Sequence, residues 1–214
     1  MKTDNLFWLG RYIERVYSIL HFFRKYVDVS IDIDCNVYKI FCDRVGILNK
    51  YNSHEDFVER YLFDKNDPHS LISALIFAHG NGIVLREEIK TETLSYIQMA
   101  ISHIEKGSLD TDLQPVTDNL LAFWGALDEM VFNRDIRNFV KIGKYLESLD
   151  LHLRFDYSQK KIAYCTDRLE KHIVKEPERF DLALFSELKR ELQRENYDKY
   201  KSLEFISKLF VEQE

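Results

Sequence analysis

Proline and glycine are scarce in this chain, three and seven residues among 214, and that scarcity excludes a disordered tail or a low-complexity linker. Cysteine is scarce too. Cys35, Cys42 and Cys165 form no CxxC pair, and Cys35 and Cys42 stand seven apart, about 10 Å along a regular helix and too far for a disulfide. Buried reduced thiols are the reading that follows. No apolar run approaches the length of a membrane span, and the stretch NLFWLG between Asp4 and Arg11 is too short for a signal sequence, so a cytoplasmic protein is expected. Positive charge is in deficit: the net charge of -6 and a pI near 5.7 give no support to a broad nucleic-acid or anionic-membrane surface.

Several chemical signatures are missing as well. There is no Glu-x-x-His of the kind that helical di-metal proteins use, and Asp150 and His152, two apart, splay across a helix. His21, His54, His69, His79, His103 and His172 are scattered without ligand spacing, so no metal is expected, and no cofactor signature stands in its place. Cys165 and His172 share a helix face but stand too far apart in rise to act as nucleophile and base. HGNGIVLRE contains GxG with neither a P-loop lysine nor a preceding strand.

What is abundant is helical periodicity: nearly every segment repeats apolar residues at three and four, with no sustained period of two. The spacing predicts an all-α bundle of about eight to ten helices, with boundaries near 4–28, 35–50, 53–64, 69–89, 91–107, 113–132, 136–155, 158–174, 179–195 and 199–212. Ser53 and Asp56 are spaced as a capping box, and DKNDP at 64–68 is a turn. Thr91 is placed to cap the fifth helix and Gly107 to close it. Gly80 and Gly82 predict a kink that sets Asn81 beside Arg86.

One echo stands out. LGRYIERVYSIL from Leu9 and IGKYLESLDLHL from Ile142 align without gaps, Gly10 with Gly143, Arg11 with Lys144, Tyr12 with Tyr145 and Glu14 with Glu147. The match suggests an internal pseudo-twofold duplication within one domain of 1–214, with halves of roughly 1–108 and 109–214. A mid-helix glycine costs on the order of 1 kcal/mol against alanine, and two helices crossing at their glycines recover that by close approach. Phe7, Trp8, Tyr12, Phe123, Trp124 and Tyr145 then build the core near the crossing. The segment 186–210 reads as an amphipathic cap on the bundle.

NLFWLGRYIER, SLISALIFAHGNGIVLREEI and IGKYLES, in that order, resemble the alpha-E domain family, bacterial all-helical proteins named for an ER motif. Gly10, Arg11, Tyr12, Glu14 and Arg15 match the first motif in full. In the second, Lys144 and Ser148 stand where arginines are usual, leaving Gly143, Tyr145 and Glu147. In the middle segment Ala78, Asn81, Arg86 and Glu87 carry over, while His79, Gly80 and Ile83 depart from the pattern. The resemblance implies a place beside circularly permuted ATP-grasp-type ligases and transglutaminase-like proteases, in making or modifying a peptide. It supplies no catalytic mechanism.

The candidate ligand-binding residues are Arg11, Tyr12, Glu14, Arg15, Asn81, Arg86, Glu87, Tyr145 and Glu147. Arg11 is placed to pair with Glu14 along the helix, an exposed pair worth roughly 0 to 1 kcal/mol. The sharper expectation turns Glu14 inward to meet Arg86, and Glu147 from the paired helix, in a buried network. Three functions stay open: a non-catalytic interaction module acting with an ATP-grasp-type ligase, an enzyme or ligand-binding protein with its site at Glu14, Arg15, Arg86 and Glu147, and a structural bundle that dimerises through its last helices.

Overall fold

The computed structural model describes residues 2–32, 36–107 and 112–211, with the backbone alone for 27–32. Its longest helix, α1 (Thr3–Asp32), carries Leu6, Leu9, Ile13, Val16, Leu20 and Phe23 at spacings of three and four, and all six are buried. The second long helix, α8 (Arg134–Arg154), does the same with Ile136, Phe139, Val140, Gly143, Leu146, Leu149 and Leu153. These two apolar faces pack on one another and form the spine of the protein.

The other helices clothe that spine. After α1 come α2 (Val37–Val45), α3 (His54–Phe63), α4 (Leu71–Val84), the single turn α5 (Arg86–Ile89), α6 (Thr91–Glu105) and α7 (Gln114–Met130). After α8 come α9 (Gln159–Ile173), α10 (Leu182–Leu192) and α11 (Lys199–Lys208). α4 lies along α1, α6 packs between α4 and α7, and α9 lies along α8. One apolar cluster runs through all of them, from Leu6 to Leu209, so both halves of the chain contribute to a single core. No strand occurs among the described residues; the sole β contact there is a bridge from Phe180 to Phe210.

Local chemistry sets the helix ends. Ser53 accepts the Asp56 N–H at 3.2 Å, Ser70 the Ser73 N–H at 3.1 Å and Asn133 the Asp135 N–H at 2.9 Å, each a cap worth about 1 kcal/mol. Gly46, at φ 81°, ends α2 in the left-handed region and accounts for that helix stopping well short of residue 50. Its predicted start at Cys35 lies outside the described residues, as does most of the link after Gly107.

Three expectations need correction. Gly80 and Gly82 do not break the chain: α4 continues through them to Val84, and a Cβ on Gly82 would strike Leu94 of α6. The break falls at 85–90 instead, which splits the expected fourth helix and brings the count to eleven among the described residues. Thr91 does not cap α6 but is its first residue, following Lys90 at φ 72°. Gly107 does not close that helix, which ends at Glu105; Gly107 instead makes room for the ring of Phe63.

Candidate functional site

The site begins with two glycines. A Cβ on Gly10 would fall on the carbonyl oxygen of Val140, and one on Gly143 on that of Phe7, both far inside the 3.0 Å that real Cβ contacts respect. The backbones of α1 and α8 therefore touch, and the side chains of the next turn on each helix meet across the seam.

Glu147 of α8 is the anchor on one side. It is 1% exposed, and Arg11 reaches its Oε2 with both Nε, at 2.6 Å, and Nη2, at 2.5 Å. Arg15, one turn further along α1, sets its Nε 2.8 Å from Oε1. Burial alone would raise the Glu147 pKa, but the two guanidinium charges and the Arg11 hydrogen bond outweigh it and hold the carboxyl below its ordinary range. Glu147 in turn raises the Arg15 pKa, so each of these two favours the charged form of the other.

Glu14 faces the opposite way, as its position about 100° round the helix from Arg15 requires. It is 4% exposed and accepts a hydrogen bond from the Ser18 hydroxyl at 3.1 Å, while its Oε2 accepts none among the described residues. Burial pushes its carboxyl up to about 7, against the lowering influence of Lys144 and of the Ser18 and Ser148 hydroxyls. Lys144 does not close an ion pair with it: the ammonium sits over the Trp124 ring, 4.0 Å from the centroid, and burial lowers its own pKa. The two glutamates differ in their cations. Each glutamate feels a cation of the other helix, Glu147 through direct contact with Arg11 and Glu14 only through the more distant charge of Lys144. Where α1 supplies a second guanidinium at Arg15, α8 has Ser148, and burial leaves the Glu14 carboxyl raised to about 7.

Arg11 and Arg15 also open outward, into a cavity of about 410 Å³. Glu147 closes its base, and Trp8, Tyr12 and Phe77 form an aromatic wall on which Tyr12 lies 5.6 Å from Phe77. The turns at 45–47 and 68–70 also line the cavity, as does Arg154 from the last turn of α8. Arg154 has its own buried anchor, Asp150, whose Oδ2 lies 2.7 Å from its Nε. The 68–70 turn is fixed by buried Asp67, which pairs with Lys50 at 2.9 Å and accepts the His69 N–H at 3.1 Å.

The Alpha-E family model, described as a predicted alpha-helical domain with a conserved ER motif, matches residues 2–172. The chain belongs to the Alpha-E family. No curated protein and no solved structure matches it. In this Alpha-E chain Glu14 and Arg15 are consecutive, and the geometry separates their tasks. The arginine reaches across the crossing to Glu147, and the glutamate is sealed behind it.

Of the nine candidate residues, Arg11, Tyr12, Arg15 and Glu147 come together at the cavity. Glu14 lies behind the crossing, and Tyr145 stacks on His172, 5.5 Å between ring centres. Asn81 accepts a hydrogen bond from Asn5 at 2.8 Å and donates one to the Phe77 carbonyl. Arg86 and Glu87 stand apart on exposed α5, where Arg86 bonds Thr91 at 3.2 Å. The expected contact between Glu14 and Arg86 is therefore not made, because α4 ends before Arg86 and carries it outward. Nor does Arg11 pair with Glu14; it pairs with Glu147, which the glycine contact brings within reach. Sequence reasoning missed Arg154, whose available signal was its spacing of four from Asp150. Among the described residues no group of His, Cys, Asp and Glu is arranged to hold a metal ion, and no helix is long and apolar enough to cross a membrane.

Proposed function

We propose that this Alpha-E chain is a non-catalytic helical interaction module that works in the cytoplasm beside an ATP-grasp-type ligase, in a system that makes or modifies a peptide, with a transglutaminase-like protease as a second partner. The assignment of partners rests on the family resemblance. The observation that carries the module reading is the state of Glu147: Arg11 hydrogen-bonds its Oε2, Arg15 stands at ion-pair distance from its Oε1, and the two charges hold the carboxyl below its ordinary range. Such a carboxylate is a weak base and serves instead to fix two guanidinium groups at the floor of an open cavity.

The enzyme reading needs Glu14, Arg15, Arg86 and Glu147 in one place. Glu14 has a pKa suited to proton transfer, yet it is buried on the far side of the helix crossing from the cavity, and Arg86 lies on another helix in solvent. The test is co-purification of the chain with the ligase encoded beside it, followed by product formation with Glu14→Gln. The module reading expects a complex, and turnover within about twofold of the parent. Absence of a complex, or abolished turnover in a folded Glu14→Gln variant, overturns it.

A further inference from the structure

We infer that the cavity between the motif helices is a receptor for the C-terminal carboxylate of a peptide whose last residue has an apolar side chain. The inference rests on the module reading above and names what that module holds.

Charge comes first. Three guanidinium groups, Arg11, Arg15 and Arg154, face the cavity, and two carboxylates, Glu147 and Asp150, anchor them from behind. One positive charge is uncompensated, which suits a monoanion. Because each arginine is tethered by a buried acid, its planar fork is already oriented, and little side-chain freedom is lost when an anion binds. Arg15 stands with its Nε 2.8 Å from Glu147, lines the cavity and keeps about a third of its side chain exposed, so part of its guanidinium is accessible to a ligand. A carboxylate accepts two parallel N–H bonds from such a fork.

Shape comes second. Trp8, Tyr12 and Phe77, with Ala74, line the same cavity as the arginines and give it apolar surface. A ligand that satisfies both must carry its charge and its apolar group on neighbouring atoms. The terminal residue of a peptide does so, with carboxylate and side chain on one Cα. An acidic side chain does not, since its carboxylate replaces the apolar group. About 410 Å³ is room for one such residue and part of the next. Inorganic phosphate carries no apolar group to set against the aromatic wall.

The experiment is calorimetric titration of the full chain with acetyl-Ala-Phe as the free acid, the same peptide as its carboxamide, acetyl-Ala-Asp-amide and inorganic phosphate. The expected result is saturable binding of the free acid, with the carboxamide, the side-chain acid and phosphate each at least tenfold weaker. Equal affinity for acid and carboxamide overturns the inference, as does equal or tighter binding of the side-chain acid or of phosphate. Arg154→Gln is expected to weaken the free acid at least tenfold and to leave the carboxamide unchanged. Should Arg154→Gln fail to fold, Phe77→Ala, at an exposed position, replaces it and is expected to weaken both peptides alike. Undiminished binding in whichever variant folds also overturns the inference. Complex formation with the ligase, measured separately, divides the two ideas: a complex without carboxylate selectivity removes this inference and keeps the module, and selectivity without a complex does the reverse.

Discussion

Gly10 packs its α-carbon against the carbonyl of Val140, with no room for a methyl group between the two helices. Alanine at Gly10 or Gly143 improves helix propensity by roughly 1 kcal/mol, but here it must drive two backbones apart. Overpacking of this kind costs about 1–3 kcal/mol, and the contact is backbone, which yields least. Gly10→Ala is therefore expected to lower the urea midpoint, while Gly80→Ala, where a Cβ meets nothing within 4 Å, is expected to raise it. If Gly10→Ala were as stable as Gly80→Ala, the close crossing would be refuted.

Glu14 sets one pH dependence. Its folded pKa of about 7 stands above the model carboxyl value of 4.5, so the folded state binds more protons than the unfolded state between those values. Stability from this group is complete below pH 4.5 and declines as pH rises through 7. A shift of that size corresponds to about 3 kcal/mol, as an order of magnitude. Glu14→Gln, which stays neutral, is expected to match the parent near pH 5 and to exceed it by pH 8 in chemical denaturation. A parent curve that is flat from pH 5 to 8 would count against a buried carboxyl at this position.

Glu147 acts in the opposite sense. Arg11 and Arg15 hold its folded pKa below 4.5, so its contribution is present above that value and is lost as pH falls through the folded pKa. Glu147→Gln leaves two guanidinium groups at the buried floor without their anion, a change expected to cost about 3–5 kcal/mol at pH 7. The loss is to be read as a fall in melting temperature that shrinks towards pH 3. An equal loss at pH 7 and pH 3 would mean that the pair contributes nothing as charges.

The last helices extend past the family match and still belong to the core. Phe210 stacks on Phe7 at 4.2 Å, and Arg179 donates to Thr3 and pairs with Asp4 at the start of α1. A chain ending at 172 would uncover Phe7, the residue whose carbonyl faces Gly143. Exposing such a ring costs about 1.5–3 kcal/mol for that side chain alone. The truncated protein is expected to melt well below the parent in circular dichroism. Unchanged melting would show the C-terminal helices to be a separable appendage.

The helices were legible because their apolar spacing is carried by α1 and α8 themselves, and the pairing of those two was legible because a glycine stands at the same place in the two similar stretches from Leu9 and Ile142. The partners of the polar residues were not. Arg11 had Glu14 three positions away, a contact that local spacing favours, and yet it reaches Glu147, 136 positions distant. Arg86, which sequence placed with Glu14, is removed by a helix end at Leu85 that no proline or glycine announced. Arg154 and the turns at 45–47 and 68–70, which complete the cavity, were silent because their meeting depends on how α2 and α3 lie against the spine.

Sequence by itself settled that this chain is helical, that it belongs to the Alpha-E family and that two glycine-bearing helices are its centre, since periodicity, motif and backbone bulk are properties of short segments. Only the tertiary structure decided which glutamate is held charged and which is left near neutrality. That difference arises from which cations the crossing brings against each buried carboxyl, and charge in a low-dielectric interior is fixed by neighbours in space.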